Sequence, residues 1–425
     1  MNDLTYINYT TLYGGFQELM SKNAPYCAKK RKGKIQDMTC GIICEYNPMH
    51  RGHEYMIGEL RRAGVGTVVC LMSGSFVQRG DTAVTDKYDR AAAAVRSGAD
   101  LVLELPFPWS CASAAYFAAA GVHILSALGI GNIAFGSESA ELSRLRAAAD
   151  AADADADEKY DADASQGSAA AYFARIEGAL GDGERLPPND ILGVEYIRAA
   201  RRLGTATEFI VIKRTGAGFH DTDASAALPS ATAMRAAILR GELPEGLTEA
   251  SAESLRAAIA AGRAPATLGA LGTAALWRFR SGGAELGRYA ECGGGVSGRL
   301  VRAAAESGNL ADMLTAAATK KYTSARLRRA VIFALAGVMK ADLDALPSYT
   351  TVLASDARGR SFLATARKKA GIAVLTRPSA ALRLVGDAAR RQTELLLASE
   401  GLYSLALPVP CPAGSFLRQT PLCID

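Results

Sequence analysis

Two of the chain's four histidines stand three positions apart, in His50-Arg51-Gly52-His53. They follow the apolar run Gly41-Ile42-Ile43-Cys44 and the turn at Asn47-Pro48, and they precede a helical pattern carrying Tyr55, Met56 and Leu60. This setting suits a triphosphate for three reasons. A helix start offers free backbone N–H groups and the positive end of the helix dipole. Gly52 lets a bulky anion come close to the backbone. Imidazoles at i and i+3 project to one side of the first turn, where they can donate to phosphate oxygens as charge builds at a phosphorus under attack. An H-x-x-H spacing alone also describes two surface histidines; the strand, turn and helix around it argue for chemistry. The loop is therefore expected to bind ATP, with His50 and His53 as the catalytic pair. ATP in turn implies Mg2+, with Glu45 and Asp86 as candidate carboxylates. No Ser-His-Asp or Cys-His arrangement competes.

The elements that must position this loop alternate. Strand-like runs occur at 41–44, 68–72, 101–103, 132–135 and 209–212. Helical patterns lie between them, at about 86–98, 109–128, 167–180 and 190–202, and another begins near Ser230. Alternation of this kind predicts an α/β fold, a Rossmann-like doubly wound parallel sheet. Ligands of such sheets bind at the carboxyl ends of the strands. The Ala/Asp-rich stretch 147–166 reads as a solvated helix or a loose insert without chemistry. After about residue 245 the strand signal fades into Ala, Leu and Arg with helical periodicity, which predicts a mainly helical C-terminal domain. Short strands near 350–353 and 373–375 are assigned to that domain.

The boundaries expected are a disordered extension over 1–37, a nucleotide-binding domain over 38–245 and a helical domain over 246–425. A chain of 425 residues exceeds one ordinary core. No apolar run is long enough and free enough of charge to span a membrane, and residues 1–37 do not read as a secretory signal. Eight cysteines without a repeated C-x-x-C spacing point to a cytoplasmic protein lacking disulfides and zinc. A net charge of +5 permits a nucleic-acid partner without requiring one.

The stretch Glu45-Tyr46-Asn47-Pro48-Met49-His50-Arg51-Gly52-His53 resembles the His-x-Gly-His motif of nucleotidyltransferases related to class I aminoacyl-tRNA synthetases. More narrowly, it resembles the opening of the tRNA(Met) cytidine acetate ligase family, in which Phe usually stands at Met49 and Asn at Arg51. Further blocks in the same order are similar to that family: Met72-Ser73-Gly74-Ser75-Phe76-Val77-Gln78-Arg79-Gly80-Asp81, Lys87 and Arg90, Phe135-Gly136-Ser137-Glu138, Pro188-Asn189-Asp190, Arg214 with Phe219-His220-Asp221, and Ser230-Ala231-Thr232-Ala233-Met234-Arg235. Asp190 stands where the family usually has Asn. The resemblance implies that ATP is wrapped by Ile43, Cys44, Glu45, Tyr46, Asn47, Pro48, Met49, His50, Arg51, Gly52, His53, Glu54, Tyr55 and Met56. It implies that Gly136, Asn189 and Arg214 complete the nucleotide site. Read without the family, Gly136 is equally a turn glycine, Asn189 a helix cap and Arg214 a surface cation. Ser230 and Thr232 read as caps as readily as ligands, and His123 as a core histidine.

The activity implied is ATP-dependent activation of acetate as acetyl-adenylate, followed by acetylation of the wobble cytidine of elongator tRNA(Met) to N4-acetylcytidine. Basic clusters at 320–329, including Arg326 and Arg329, and at Arg358, Arg360, Arg367, Lys368 and Lys369 suit an RNA backbone. They equally describe solvated helix faces. Two alternatives stay open: an adenylyl- or cytidylyltransferase acting on another small substrate, and a tRNA-binding protein without catalysis.

Overall fold

The computed structural model describes residues 38–154, 176–178, 180–181, 185–214, 230–319 and 321–425. The expectations for residues 1–37, for most of the helix near 167–180, for the insert after 154 and for Phe219-His220-Asp221 lie outside the described residues.

The first half runs β1 (Thr39–Cys44), α1 (Arg51–Arg62), β2 (Thr67–Ser73), β3 (Phe76–Val77), β4 (Asp81–Thr82), α2 (Lys87–Arg96), β5 (Leu101–Leu105), α3 (Ala114–Ala127), β6 (Asn132–Ser137), α4 (Leu142–Asp153), α5 (Pro188–Arg202), β7 (Glu208–Lys213) and α6 (Ala231–Leu239). The second half runs α7 (Glu249–Ala260), α8 (Gly272–Ser281), α9 (Val296–Glu306), α10 (Leu310–Ala317), α11 (Ser324–Ala336), α12 (Lys340–Asp344), β8 (Tyr349–Ser355), α13 (Ala357–Ala366), β9 (Ala373–Leu375), α14 (Asp387–Ala406) and β10 (Leu422–Cys423).

The main sheet has the order β10-β8-β5-β2-β1-β6-β7. Strands β5, β2, β1, β6 and β7 are mutually parallel. The chain moves from β1 outward to β2 and β5, then returns to place β6 on the other side of β1. That reversal opens a crevice past the carboxyl ends of β1 and β6, where doubly wound sheets bind ligands. Both faces of the sheet are covered, which is why its strands read as continuous apolar runs. On β1, Ile43 faces a core shared with α3 and α5. Cys40, Ile42 and Cys44 face a core shared with α1 and α2.

Two sequence expectations are corrected. The strand near 350–353 does not stay with the C-terminal helices: β8 lies antiparallel against β5 in the main sheet, and β9 pairs with β8. Without β8, β5 would be a bare edge with unpaired backbone groups. Tyr349–Ser355 is buried throughout, and Thr350 Oγ1 donates to the Glu104 carbonyl at 2.7 Å. The start of the Ala/Asp stretch takes the helical of its two expected readings, but as a packed helix rather than a solvated one. Residues 142–153 form α4, whose Leu145, Ala148, Ala149 and Ala152 are buried; alanines at helical spacing let it pack closely.

The C-terminal helices share a core with the sheet's carboxyl end. Phe76, Phe107 and Cys111 join residues of α8, α9, α10, α11 and α14 in one apolar cluster, and the Tyr403 hydroxyl donates to the Ala83 carbonyl at 3.1 Å. His123 is the core histidine expected, its Nε2 3.2 Å from the Pro347 carbonyl. The seven described cysteines are free thiols. Among the described residues no helix is long and apolar enough to cross a membrane.

Candidate active site at the switch point

The crevice at the β1–β6 reversal holds a cavity of about 470 Å³. Of the residues expected to hold nucleotide, Ile43, Cys44, Glu45, Tyr46, Asn47, His50, His53, Met56, Gly136, Asn189 and Arg214 line it. Pro48, Met49, Arg51, Gly52, Glu54 and Tyr55 are not on its wall. Met49 is buried in the core, while Arg51, Glu54 and Tyr55 are exposed on α1. Arg51, in the expected ATP-wrapping segment, thus faces solvent and not the cavity.

The two imidazoles are held by a reciprocal cap. His50 is the N-cap of α1; its Nδ1 accepts from the Gly52 N–H at 3.1 Å. His53 Nδ1 accepts from the His50 N–H at 3.3 Å. The rings stack with centroids 3.7 Å apart. A nitrogen that accepts carries no proton, so in the neutral ring the proton sits on Nε2. Burial, with Arg214 and Arg235 nearby, pulls the His50 pKa down to about 4. Burial and its stacked neighbour hold His53 well below the usual histidine range. Both rings are therefore neutral at pH 7, each with one oriented Nε2–H donor.

The free N–H groups expected at this helix start are already used. The Arg51 N–H donates to the Gly246 carbonyl at 2.8 Å, and those of His53 and Glu54 donate to the His50 carbonyl. With Gly52 bonded to the imidazole, the first turn has no spare donor for an anion. The charged and N–H-bearing side chains that do line the cavity include the two imidazoles and four arginines.

The loop carrying the pair is clamped from several elements. Tyr46 adopts a positive φ of 45°, sparsely populated for such a side chain. Its buried ring packs 4.9 Å from that of His53, and its hydroxyl lies 3.3 Å from Cys70 Sγ. Asn47 Oδ1 accepts from the Val84 N–H at 2.8 Å, so this side chain shapes the loop. Arg90 of α2 is buried and donates to the carbonyls of Glu45, Ser73, Gly74 and Thr85. A single guanidinium thus ties the ends of β1 and β2 together. Arg235 of α6 donates to the Asn47 carbonyl at 2.9 Å and to Thr232 Oγ1 at 3.1 Å. Ser230 caps α6 through the Ala233 N–H.

Across the crevice, Gly136, next to last in β6, lies beneath Arg214: a Cβ there would stand 3.1 Å from Arg214 Cγ. The Arg214 Nε lies 3.6 Å from Glu138 Oε1, which also accepts from Asn189 Nδ2 at 2.5 Å. Asn189 lies inside the first turn of α5 and is not its cap, a position held by Pro187. Asp190 is fully buried. Its carboxylate accepts from Ser137 Oγ and from the Glu138 and Ser139 N–H groups, locking the turn that presents Glu138.

The C-terminal half reaches into the site. Arg328 of α11 lines the cavity and donates to the Arg79 carbonyl at 3.2 Å. Arg79 sits at the tip of the β3–β4 hairpin and lines the same wall. Gly80, at φ +70°, lies so close to α11 that a Cβ would come within 2.6 Å of the Arg329 nitrogen. Within this basic cluster Arg326, Arg328 and Arg329 are therefore not on a solvated face. Arg326 and Arg329 pair with buried Glu291, Arg329 at 2.8 Å. In the second cluster, Arg358 donates to the Gly66 carbonyl and Arg360 to Asp425, while Arg367, Lys368 and Lys369 are exposed. Arg79, Arg214, Arg235 and Arg328 thus converge on the cavity from four elements. The family resemblance marked the first three; Arg328 fell inside the basic cluster read as an RNA-facing or solvated face, and tertiary packing turns it to the cavity instead.

The family model described as HIGH Nucleotidyl Transferase matches residues 38–413. A tRNA(Met) cytidine acetate ligase of Syntrophotalea carbinolica is 35% identical over 351 residues, covering 79% of this chain and 84% of that protein. The chain belongs to the tRNA(Met) cytidine acetate ligase family. A second relative of that name, from Lactobacillus delbrueckii subsp. bulgaricus, is 33% identical over 79% of this chain and 89% of its own length. The crystal structure of Thermotoga maritima TmcAL bound with alpha-thio ATP superimposes with a TM-score of 0.80 at 28% identity, covering 91% of this chain and 99% of that one. In this member of the tRNA(Met) cytidine acetate ligase family, both histidines of the motif and the four arginines line one cavity. Among the described residues, Glu45 is the only carboxylate lining the cavity. Asp86 is not on the wall; it caps α2 through the Tyr88 N–H at 2.7 Å.

Proposed function

We propose that the protein is an ATP-dependent ligase that activates acetate as acetyl-adenylate and acetylates the wobble cytidine of elongator tRNA(Met) to N4-acetylcytidine. The observation that carries this reading is the stacked, neutral His50–His53 pair at the switch point, facing a cavity ringed by four arginines, in a chain of this family. ATP occupies the cavity with its adenosine against Gly136, Phe117, Tyr196 and Leu192 and its phosphates toward the histidines.

In the first step an acetate oxygen attacks the α-phosphorus. The bond to the bridging oxygen breaks, and pyrophosphate leaves with the electron pair. Such chemistry needs positioning and charge stabilisation more than a covalent nucleophile. The two Nε2–H groups donate to the α-phosphate oxygens as charge accumulates there. Arg214 and Arg235 hold the β and γ phosphates. Mg2+, when bound with ATP, neutralises phosphate charge. Among the described residues Glu45 is the single wall carboxylate, which suits an ion carried in by the triphosphate rather than one caged by protein.

In the second step the cytidine amine attacks the acetyl carbon and AMP leaves. Exposed Arg367, Lys368 and Lys369 offer positive charge to the tRNA backbone. Exchange of labelled pyrophosphate into ATP tests the first step. Exchange that depends on acetate is expected; exchange that ignores acetate but responds to another acid would point to a different substrate.

A further inference from the structure

A second cavity, of about 450 Å³, adjoins the first. The two share Glu45, Arg79, Thr232, Arg235 and Arg328. The second has its own walls: Val77 and Asp81 of the β3–β4 hairpin, Leu239 of α6, Leu268, and Leu310 and Leu314 of α10. Leu239, Gly269 and Ala311 on its rim are exposed, so it opens to the surface between α6 and α10. We propose that this cavity receives the acceptor cytosine of the RNA, with the Asp81 carboxylate accepting the exocyclic amine. This deepens the ligase reading given above and rests on it.

The geometry argues in three ways. A reaction that joins an acyl donor to an acceptor needs two compartments meeting at one wall, and these two meet at the arginine cluster beside the histidine pair. The cavity lies in the volume range of pockets for drug-sized ligands, about 300–1,000 Å³, far more than a two-carbon acid fills. Its lining is also that of a base site. Aliphatic side chains offer surfaces for the ring faces, Asp81 adds a carboxylate that the first cavity does not share, and Arg79 and Arg328 give positive potential for the adjoining phosphodiester. A carboxylate accepting from the N4 amine is the pairing that distinguishes cytosine from uracil, whose O4 only accepts.

Asp81 also suits the proton that must leave. The N4 lone pair forms the bond to the acetyl carbon. The bond from that carbon to the phosphate oxygen breaks, AMP departs with its electron pair, and the amine proton passes to the Asp81 carboxylate. Burial raises the Asp81 pKa against the pull of Arg328 and the Thr82 N–H, which makes it a better acceptor than an exposed carboxylate.

The test splits the two half-reactions in the full-length protein. Asp81→Asn removes the proton acceptor, and Ala311→Trp, at an exposed rim position, narrows the cavity without disturbing a core. Acetate-dependent pyrophosphate exchange is expected to stay within about twofold of the parent. Acetyl transfer to tRNA(Met) in single turnover should fall by about 100-fold in Asp81→Asn, and the tRNA concentration giving half-maximal rate should rise in Ala311→Trp. Transfer at the parent rate in both variants, or loss of exchange in proportion to transfer, would overturn the assignment. Should the parent show no acetate-dependent exchange, the ligase reading fails, and photo-crosslinking decides the cavity separately. A tRNA(Met) with a photoreactive pyrimidine at the wobble position should label α10 around Leu310–Leu314 and lose that label in Ala311→Trp. Labelling elsewhere would refute the assignment.

Discussion

His50 and His53 stack with their ring centroids 3.7 Å apart, and each turns its Nδ1 to a backbone N–H of the same helix start. The capping bonds decide the tautomer, and the tautomer decides what the cavity meets: two Nε2–H donors rather than two bases or two cations. His53→Ala should lower the rate of acetyl-adenylate formation by about 100- to 1,000-fold, the range for losing one transition-state donor. It should leave tRNA affinity within a fewfold of the parent in a filter-binding assay. Equal loss of both would show that the variant fails to fold or that the halves are not separable.

Acid should unfold the protein partly through this pair. A histidine whose folded pKa is depressed binds its proton more readily when unfolded, so stability is full above the unfolded value near 6.5 and is lost as pH falls toward the folded value. For His50, with a folded value of about 4, the loss between pH 6.5 and 5 is about 2 kcal/mol. In denaturant titrations His50→Asn, which keeps a capping oxygen, should show a shallower fall over that window. An identical pH dependence would contradict the buried, neutral assignment.

Gly80 joins the halves. Ala at this left-handed position would meet the α11 backbone 2.6 Å away, with no flexible side chain to yield. Gly80→Ala should cost about 2–3 kcal/mol, read as a lower urea midpoint, and should displace Arg79 and Arg328 together. A raised KM for ATP is expected beside the stability loss; a variant of unchanged midpoint would show that the hairpin can move.

Lys87 lies buried between Glu104 and Glu400, at 2.7 and 3.0 Å, and the two carboxylates come from opposite halves of the chain. Lys87→Met leaves them buried without their cation. A loss of about 3–5 kcal/mol is expected, with partial recovery when Glu400→Gln is added. Destabilisation that simply adds in the double variant would argue against a shared network.

Much of this was legible in the sequence. The five parallel strands of the first half were marked by apolar runs; burial on both faces leaves no polar alternation in the inner strands, and the half-buried edge strand β7 keeps an apolar run as well, while the His-x-Gly-His loop was marked by its place between a strand and a helix. What stayed hidden depends on pairing over long separations. Nothing near Tyr349–Ser355 announces that it will cover β5, about 250 residues earlier. Helical spacing put Arg326 and Arg329 on one face, but only the fold brings Glu291 to that face and leaves Arg328 turned to the cavity. The helix-start donors failed as an expectation because the chain supplied its own acceptors, Gly246 among them.

The central claim is that this site couples ATP to acetate and passes the acetyl group to tRNA. The direct measurement is incubation of the protein with ATP, carbon-labelled acetate and elongator tRNA(Met), followed by nucleoside analysis. The account predicts label in N4-acetylcytidine at the wobble position, with one AMP and one pyrophosphate released per acetyl group. No label from acetate, alongside transfer from acetyl-CoA, would contradict it.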